Sequence, residues 1–400
     1  MGVLDGVKVL ELAEFGFVPS CGAILADWGA DVVKVERPQG DPLRLVQKAG
    51  LVADTGDFEL LWEQINRNKR GITLDLRTDA GRAALDQLLV QADVLITSFL
   101  PSSRQRLRIE PDDVWKVNPR LVYARGHGQG QAGPDADNGG FDSVSYWARG
   151  GLAHVLTPPE GPLIMQRAAM GDGPSGAFLA GGVAAALYQR EKTGVGSIVD
   201  VSLLGTAVWT LAPDLATTSI LGVAPPPIDS SAPLSTPLIG TYRTRDGRWL
   251  MLNMMDDTRH WAPVCRALGL ESLVDRPEYA DTAARSENRV SLHATITEAI
   301  ATRDLADLRP ALLAEDTIWS AMATPEEVVA DPQVLANGYL APHPDHDRAR
   351  LAAGPCQFGG EHLVIRRRAP HAGEHTDEVL AEAGLAPDAI DGLRTSGALG

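Results

Sequence analysis

Cysteine is scarce: Cys21, Cys265 and Cys356 are the only three in 400 residues. Three scattered thiols exclude a disulfide framework and a zinc knuckle, and they fit a reducing, cytoplasmic compartment. Aromatic residues make up only 5% of the chain. Positive charge is also in deficit, with 36 Lys and Arg against 52 Asp and Glu, for a net charge of −16. General nucleic-acid binders and proteins that ride on anionic membranes carry the opposite balance, so neither partner is expected. An anionic ligand would have to be held by a local cluster of arginines. No apolar run is long enough to span a bilayer. The opening segment MGVLDGVKVLEL has no basic stretch leading into an apolar one, so it does not read as a signal peptide. No histidine–carboxylate spacing suggests a metal site.

What is present is an alternation. A hydrophobic content of 44% supports a large core, and the length favours two domains. VKVLEL, ADVVKVE, GITLDL, DVLITSF and LVYAR read as strands, separated by helix-like stretches such as PSCGAILADWG and TDAGRAALDQLLVQA, the latter capped by Thr78. Strands and helices in this order imply βαβ units and a parallel sheet, with ligands beyond the C-terminal strand ends. Residues 126–176 are rich in glycine and proline and read as loops, with a short helix from Asp142 to Arg149. A long helix is expected from Pro174 to about Lys192, and SIVDVSLL returns to strand. Residues 224–237 read as a linker. Beyond it, GTYRTRDGRWLML reads as a hairpin turning at Asp246-Gly247, followed by a mostly helical stretch over 257–330.

Asp172 stands between two glycines at the start of the long helix. An ordinary N-cap explains it. So does a reactive carboxylate, because the N–H groups and dipole of a helix start favour its ionised form, and flanking glycines admit a substrate close to the backbone. The formal G-x-G-x-x-G over Gly128–Gly133 is followed by Pro134 and no helix, which argues against a dinucleotide and for a flexible loop over a site. Arg37 and Arg77 lie just past strand ends, with Arg104, Arg106 and Arg108 nearby, where a phosphate-bearing ligand would rest. His127 lies in the glycine loop. His375 precedes Thr376, a good cap for the last helix, with Asp377 and Glu378 in its first turn. Met165, Met170, Met254 and Met255 suit either an apolar acyl group or a plain core.

Together, LDGVKVLELAEFGFVPSCGAILADWGADVVKVERPQGDPLR, NRNKRGITLDL, ADVLITSF, GHGQGQAGP, MGDGPSGAFLAGGVAAALYQREKTGVGSIVDVSLL and GEHTDEVLAEAGL resemble the family III CoA-transferases of the CaiB/BaiF type. That family includes formyl-CoA:oxalate and carnitine CoA-transferases, with α-methylacyl-CoA racemases as relatives. The resemblance runs from Leu4 to about Leu204 and returns near the C-terminus; residues 225–330 match only in general character. It implies an α/β fold with a Rossmann-like large domain from both chain ends (1–223 and 336–400) and a smaller α+β domain (238–335). It also implies an interlocked homodimer. The family's catalytic aspartate falls on Asp172. Its CoA-contacting positions fall on Gly16, Phe17, Arg37, Leu74, Arg77, Ser98, Phe99 and Arg106. Coenzyme A and acyl-CoA enter as substrates, together with a carboxylic acid; no metal and no tightly bound cofactor are implied.

Two departures bear on the reaction. Racemases of the group carry an acid/base histidine in a segment like GGFDSVSY, where this chain has Phe141. That favours transfer over racemisation unless His127 or His154 takes the role. The run of glycines with which formyl-CoA enzymes close over their intermediate is missing, so oxalate or formate is not supported. A 2-methylacyl-CoA racemase and a non-catalytic CoA-binding protein remain the alternatives.

Overall fold

A computed structural model describes residues 2–158, 160–226 and 234–399. The chain divides into two compact units: Met1–Pro227 together with Gln333–Gly400, and Ile228–Pro332. Of the expected linker at 224–237, residues 227–233 lie outside the described residues.

In the first unit, strands Lys8–Leu12 (β1), Asp31–Glu36 (β2), Arg70–Thr73 (β3), Val94–Thr97 (β4), Val122–His127 (β5) and Ile198–Ser202 (β6) form one sheet in the order β3-β2-β1-β4-β5-β6. Every pairing is parallel. A parallel sheet needs both faces covered, and apolar residues of its strands serve both, although Glu11 and Lys34 are buried among them. Alternate residues serve opposite faces. Val9, Val32, Val94, Ile96 and Val122 pack with residues of the helices Phe17–Asp27 and Asp172–Thr193. Leu10, Val33, Leu95 and Tyr123 pack with Leu85, Leu88 and Leu89 of the helix Asp79–Gln91 and with Val379 and Leu380. The strand order reverses between β1 and β4. That reversal opens a crevice at their C-terminal ends.

Local readings are adjusted at three points. GITLDL pairs as far as Thr73, with Leu74 N making the last bond to Glu36 O (2.9 Å), and the chain leaves the sheet at Asp75, whose N–H donates to Ala398 O (2.8 Å). The long helix starts at Asp172, two residues before Pro174. Thr376 opens the helix Thr376–Glu382 rather than capping it, His375 holds the N-cap position without a side-chain bond, and this helix is not the last, because Pro387–Thr395 follows. The Thr376 hydroxyl instead accepts from Thr73 N (3.2 Å), and His375 exchanges two bonds with Gly71: His375 N donates to Gly71 O (2.9 Å), and Gly71 N donates to His375 Nδ1 (3.2 Å). This segment therefore covers the open edge of β3.

The second unit holds a three-stranded antiparallel sheet of Ile239–Arg243, Trp249–Asn253 and Trp319–Ala321. Its hairpin turns at Asp246-Gly247, with Gly247 at φ +79°. Helices Asp257–Leu268, Arg289–Ala301 and Leu305–Ala314 supply Trp261, Leu292, Ile296 and Leu308 to a core with Tyr242, Leu250 and Leu252.

Beneath the crevice lies a buried ionic cluster. Lys34 Nζ sits 3.0 Å from Glu11 Oε1 and 2.9 Å from Asp41 Oδ2, and it donates to Ala13 O (2.7 Å). Lys69 Nζ holds the other Glu11 oxygen at 2.7 Å and donates to Pro19 O and Asn66 Oδ1. These side chains are essentially inaccessible to solvent. Burial alone would discharge Lys34, but Asp41 and Glu11 overrule it and hold its pKa above the usual lysine value. Burial wins at Lys69, whose pKa falls to about 8. Removing one member leaves the others buried and uncompensated. Lys34→Met is therefore expected to lower the unfolding free energy by roughly 3–5 kcal/mol in urea titration, and a loss below about 1 kcal/mol would contradict this account.

Candidate active site

Two cavities open at the C-terminal ends of the central strands, both within the first unit. One, of about 270 Å³, is lined by Arg37, Leu74, Arg77, Phe99 and Arg106 among others. The second, of about 300 Å³, is lined by Gly16, Phe17, Ser98, Phe99 and Asp172. Glu14, Phe99 and Ser103 line both, so the two adjoin at the crevice between β1 and β4. Asp172 and the eight positions that the resemblance assigns to CoA thus fall on this pair of cavities.

The first cavity is suited to an anion. Its acids already have cationic partners: Glu36 binds Arg44, Asp41 binds Lys34, and Asp75 binds Arg77. Arg37 donates to Gly40 O (3.0 Å) and meets Glu14 loosely at 3.4 Å. Arg106 donates to Ser103 Oγ (3.1 Å) and forms no ion pair among the described residues. Arg104 and Arg108 do not join them. Arg104 is buried on Phe99 O and Glu110, and Arg108 pairs with Asp79.

The second cavity lies where two helix starts converge. Phe17 opens one helix and Asp172 the other, so the positive ends of both point at the same space. Asp172 is not an N-cap. Gly171 occupies that position without a side-chain bond, and Asp172 is the first helical residue. The capping role belongs to Asp142, whose Oδ1 accepts from Gly171 N at 2.9 Å. Asp142 opens a π-helix, Asp142–Ala148, whose wide turns bring it under the start of the long helix.

Asp142 also sets the charge state of its neighbour. Burial, and then the charge of Asp142, raise the Asp172 pKa from 3.8 to about 7. Burial raises Asp142 too, against the Gly171 N–H bond. The sequence led us to expect a carboxylate kept ionised by the helix dipole. The dipole is present, but desolvation and a second acid outweigh it.

Close backbone approach places Asp172. A Cβ added to Gly16 would meet Asp172 Oδ2 at 2.1 Å, so any larger residue there would push the carboxylate out of its place. The preceding residue, Phe15, takes φ +64°. Its N–H donates to Asp41 Oδ1 (3.2 Å), and Glu14 N donates to Ser98 Oγ (3.0 Å). The loop is thereby tied to the ionic cluster below it and to the end of β4.

His127 lines the Asp172 cavity, although its ring is buried and its Nε2 lies 3.5 Å from Asp200, which Arg125 grips with two bonds. His154 is exposed and lines neither cavity. None of Met165, Met170, Met254 and Met255 lines the Asp172 cavity, and Met254 belongs to the core of the second unit. Asp142, Glu14 and Phe15 were not singled out from the sequence. Asp142 stood beside the noted Phe141, but nothing local marks a residue that caps a helix 29 positions away.

The family model for CoA-transferase family III matches residues 4–376. A Clostridioides difficile protein named (R)-2-hydroxy-4-methylpentanoate CoA-transferase is 29% identical over 98% of each chain. A Clostridium sporogenes protein named cinnamoyl-CoA:phenyllactate CoA-transferase is 30% identical over 98% of this chain and 96% of its own. The crystal structure of a CaiB/BaiF family protein from Brucella suis superposes with a TM-score of 0.81 at 28% identity, covering 96% of this chain and 99% of its own.

A carboxyl that keeps its proton when folded, at pH values where the unfolded chain has lost it, weakens folding as pH climbs from about 4 to about 7. Above pH 7 the whole cost is present. Asp172→Asn should therefore stabilise the chain by about 1–3 kcal/mol at pH 8 and by nothing near pH 3.5. Thermal melts across that range measure it, and a gain that does not grow with pH would refute it.

Proposed function

The chain belongs to CoA-transferase family III, and on that premise we propose that it moves coenzyme A from an acyl-CoA thioester to a free carboxylic acid through covalent intermediates on Asp172. The observation that carries this reading is a glycine-flanked carboxylate at two converging helix starts, in a cavity that adjoins an arginine-bearing one. The relatives named for 2-hydroxy-4-methylpentanoate and for cinnamoyl-CoA with phenyllactate support organic acids and their thioesters as the substrate class.

The Asp172 carboxylate attacks the donor thioester carbonyl, the C–S bond breaks, and CoA leaves as thiolate with an aspartyl–acyl anhydride behind it. The thiolate attacks the aspartyl carbonyl. The donor acid departs as carboxylate and an aspartyl-CoA thioester remains. The acceptor carboxylate displaces the thiolate, forming a second anhydride, and the thiolate then attacks the acceptor's carbonyl and frees Asp172. One thioester replaces another, so the cycle is close to balanced in energy. N–H groups at the starts of the Phe17 and Asp172 helices supply donors for the oxyanions. Arg37, Arg77 and Arg106 hold the CoA phosphates, Leu74 and Phe99 flank the nucleotide, and Gly16, Phe17 and Ser98 border the path to Asp172. A racemase needs a second proton-transfer group where Phe141 stands, and a phenyl ring offers none, while His127 at the same cavity has its Nε2 engaged with Asp200 at 3.5 Å.

The working form is an interlocked homodimer in the cytoplasm. Trp209 is 70% exposed, Ile220 81% and Leu221 65%, on the consecutive helices Leu203–Thr210 and Ala212–Leu221, an apolar surface that a second copy would cover.

Asp172→Ala is expected to abolish transfer while CoA still binds. In the parent chain, acyl-CoA plus hydroxylamine should mark the peptide that carries Asp172, as read by mass spectrometry; near-full activity of the variant would end the proposal. Because the nucleophile must be ionised, single-turnover acylation should rise close to tenfold per pH unit below about 7 and level off above it. A rate flat from pH 5 to 8 would contradict the assignment. Arg106→Ala should weaken CoA binding roughly tenfold by calorimetry, the value of one charge-assisted phosphate contact.

A further inference from the structure

The Asp172 cavity is furnished unlike the rest of the chain. Phe15, Phe17, Phe99 and Phe141 line it, four of only seven phenylalanines, and Leu100 and Leu203 add to them. Its ionisable lining is Glu14, His127 and Asp172, with no lysine or arginine. The adjoining cavity carries three arginines. One side of the pair is thus built for negative charge and the other for an apolar group.

One of the phenylalanines is held at some cost. Phe15 takes a left-handed backbone, φ +64°, which a bulky residue rarely adopts. The buried Lys34–Asp41 pair keeps it there through the Phe15 N–H bond. The conformation sets the Phe15 ring edge-on to Phe141, with centroids 5.0 Å apart and planes at 84°. Phe141 nevertheless remains 53% exposed. A ring fixed on one side and open on the other offers a surface to a ligand. A substrate chain ending in a second carboxylate would carry that charge into a space without a cation and with two acids on its walls.

We infer that Phe15 and Phe141 determine specificity, selecting an acyl group with a bulky apolar side chain, aryl or branched alkyl, over one that ends in a second carboxylate. This rests on the transferase reading of the same site.

Binding tests it separately from turnover. Calorimetry on the full-length Asp172→Asn chain, which cannot take up an acyl group, compares 3-phenylpropanoyl-CoA with succinyl-CoA, each as a ratio to CoA so that any general loss of fold cancels. The aryl thioester should bind at least tenfold tighter. Adding Phe141→Ala should bring the two within about twofold, and Phe141→Arg should reverse their order. Equal binding in the parent, or a ratio that neither Phe141 variant nor Phe15→Ala shifts, overturns the inference. Turnover by the wild-type chain answers the other question. Transfer from succinyl-CoA in preference to the aryl thioester would leave Asp172 chemistry standing and remove this selectivity. A preserved binding ratio with no transfer from any thioester would do the reverse.

Discussion

The reach of Lys34 from core to crevice is the constraint on which the rest of the structure depends. Its ammonium joins Glu11 of β1 to Asp41 beyond β2, and Asp41 in turn holds the backbone of Phe15. Without that grip Phe15 has no reason to stay left-handed. Gly16 would then drift from Asp172, and the carboxylate would lose the wall that limits its motion. Charges so deeply buried are costly, and a hydrophobic core would be easier to make. What they secure here is the path of a four-residue loop.

The same crevice explains why one sheet serves two unlike cavities. Where the strand order turns, the loops after β1 and β4 diverge, and Glu14 and Phe99 stand between the spaces. Arginines from the outer strands β2 and β3 reach one side. The helix starts at Phe17 and Asp172 reach the other. Polar and apolar recognition are separated by a few residues, and Asp172 lies on the apolar side, where poor solvation makes a carboxylate both basic and reactive.

Much of the large unit was legible because its signals are local. Apolar strands, the Thr78 cap and the glycine stop after the long helix follow from short-range rules, whereas Gly16, Phe17, Leu74, Ser98 and Phe99, which line the adjoining cavities, carried no local signal and came only from the family resemblance. What escaped depends on partners that folding brings together. Asp172 looked like a cap until Asp142 was seen to fill that role. Thr376 looked like a cap until its hydroxyl was found on the edge of β3. Arg104 looked like a phosphate ligand until its charge proved to be spent inside the fold. For Asp172 and Thr376 the deciding partner lies far away in sequence, whereas Arg104 is claimed by near neighbours, Phe99 O and Glu110, that only the folded turn brings to it.

The strip of chain at 371–376 that seals β3 has a bearing on biosynthesis. Until it leaves the ribosome, β3 presents a bare ladder of N–H and C=O groups, and the whole of the unit at Ile228–Pro332 is made in the interval. The nascent first half must therefore wait with a sticky flank exposed to other strands. Closing a sheet edge with a segment about 300 residues further along leaves that edge open through most of synthesis.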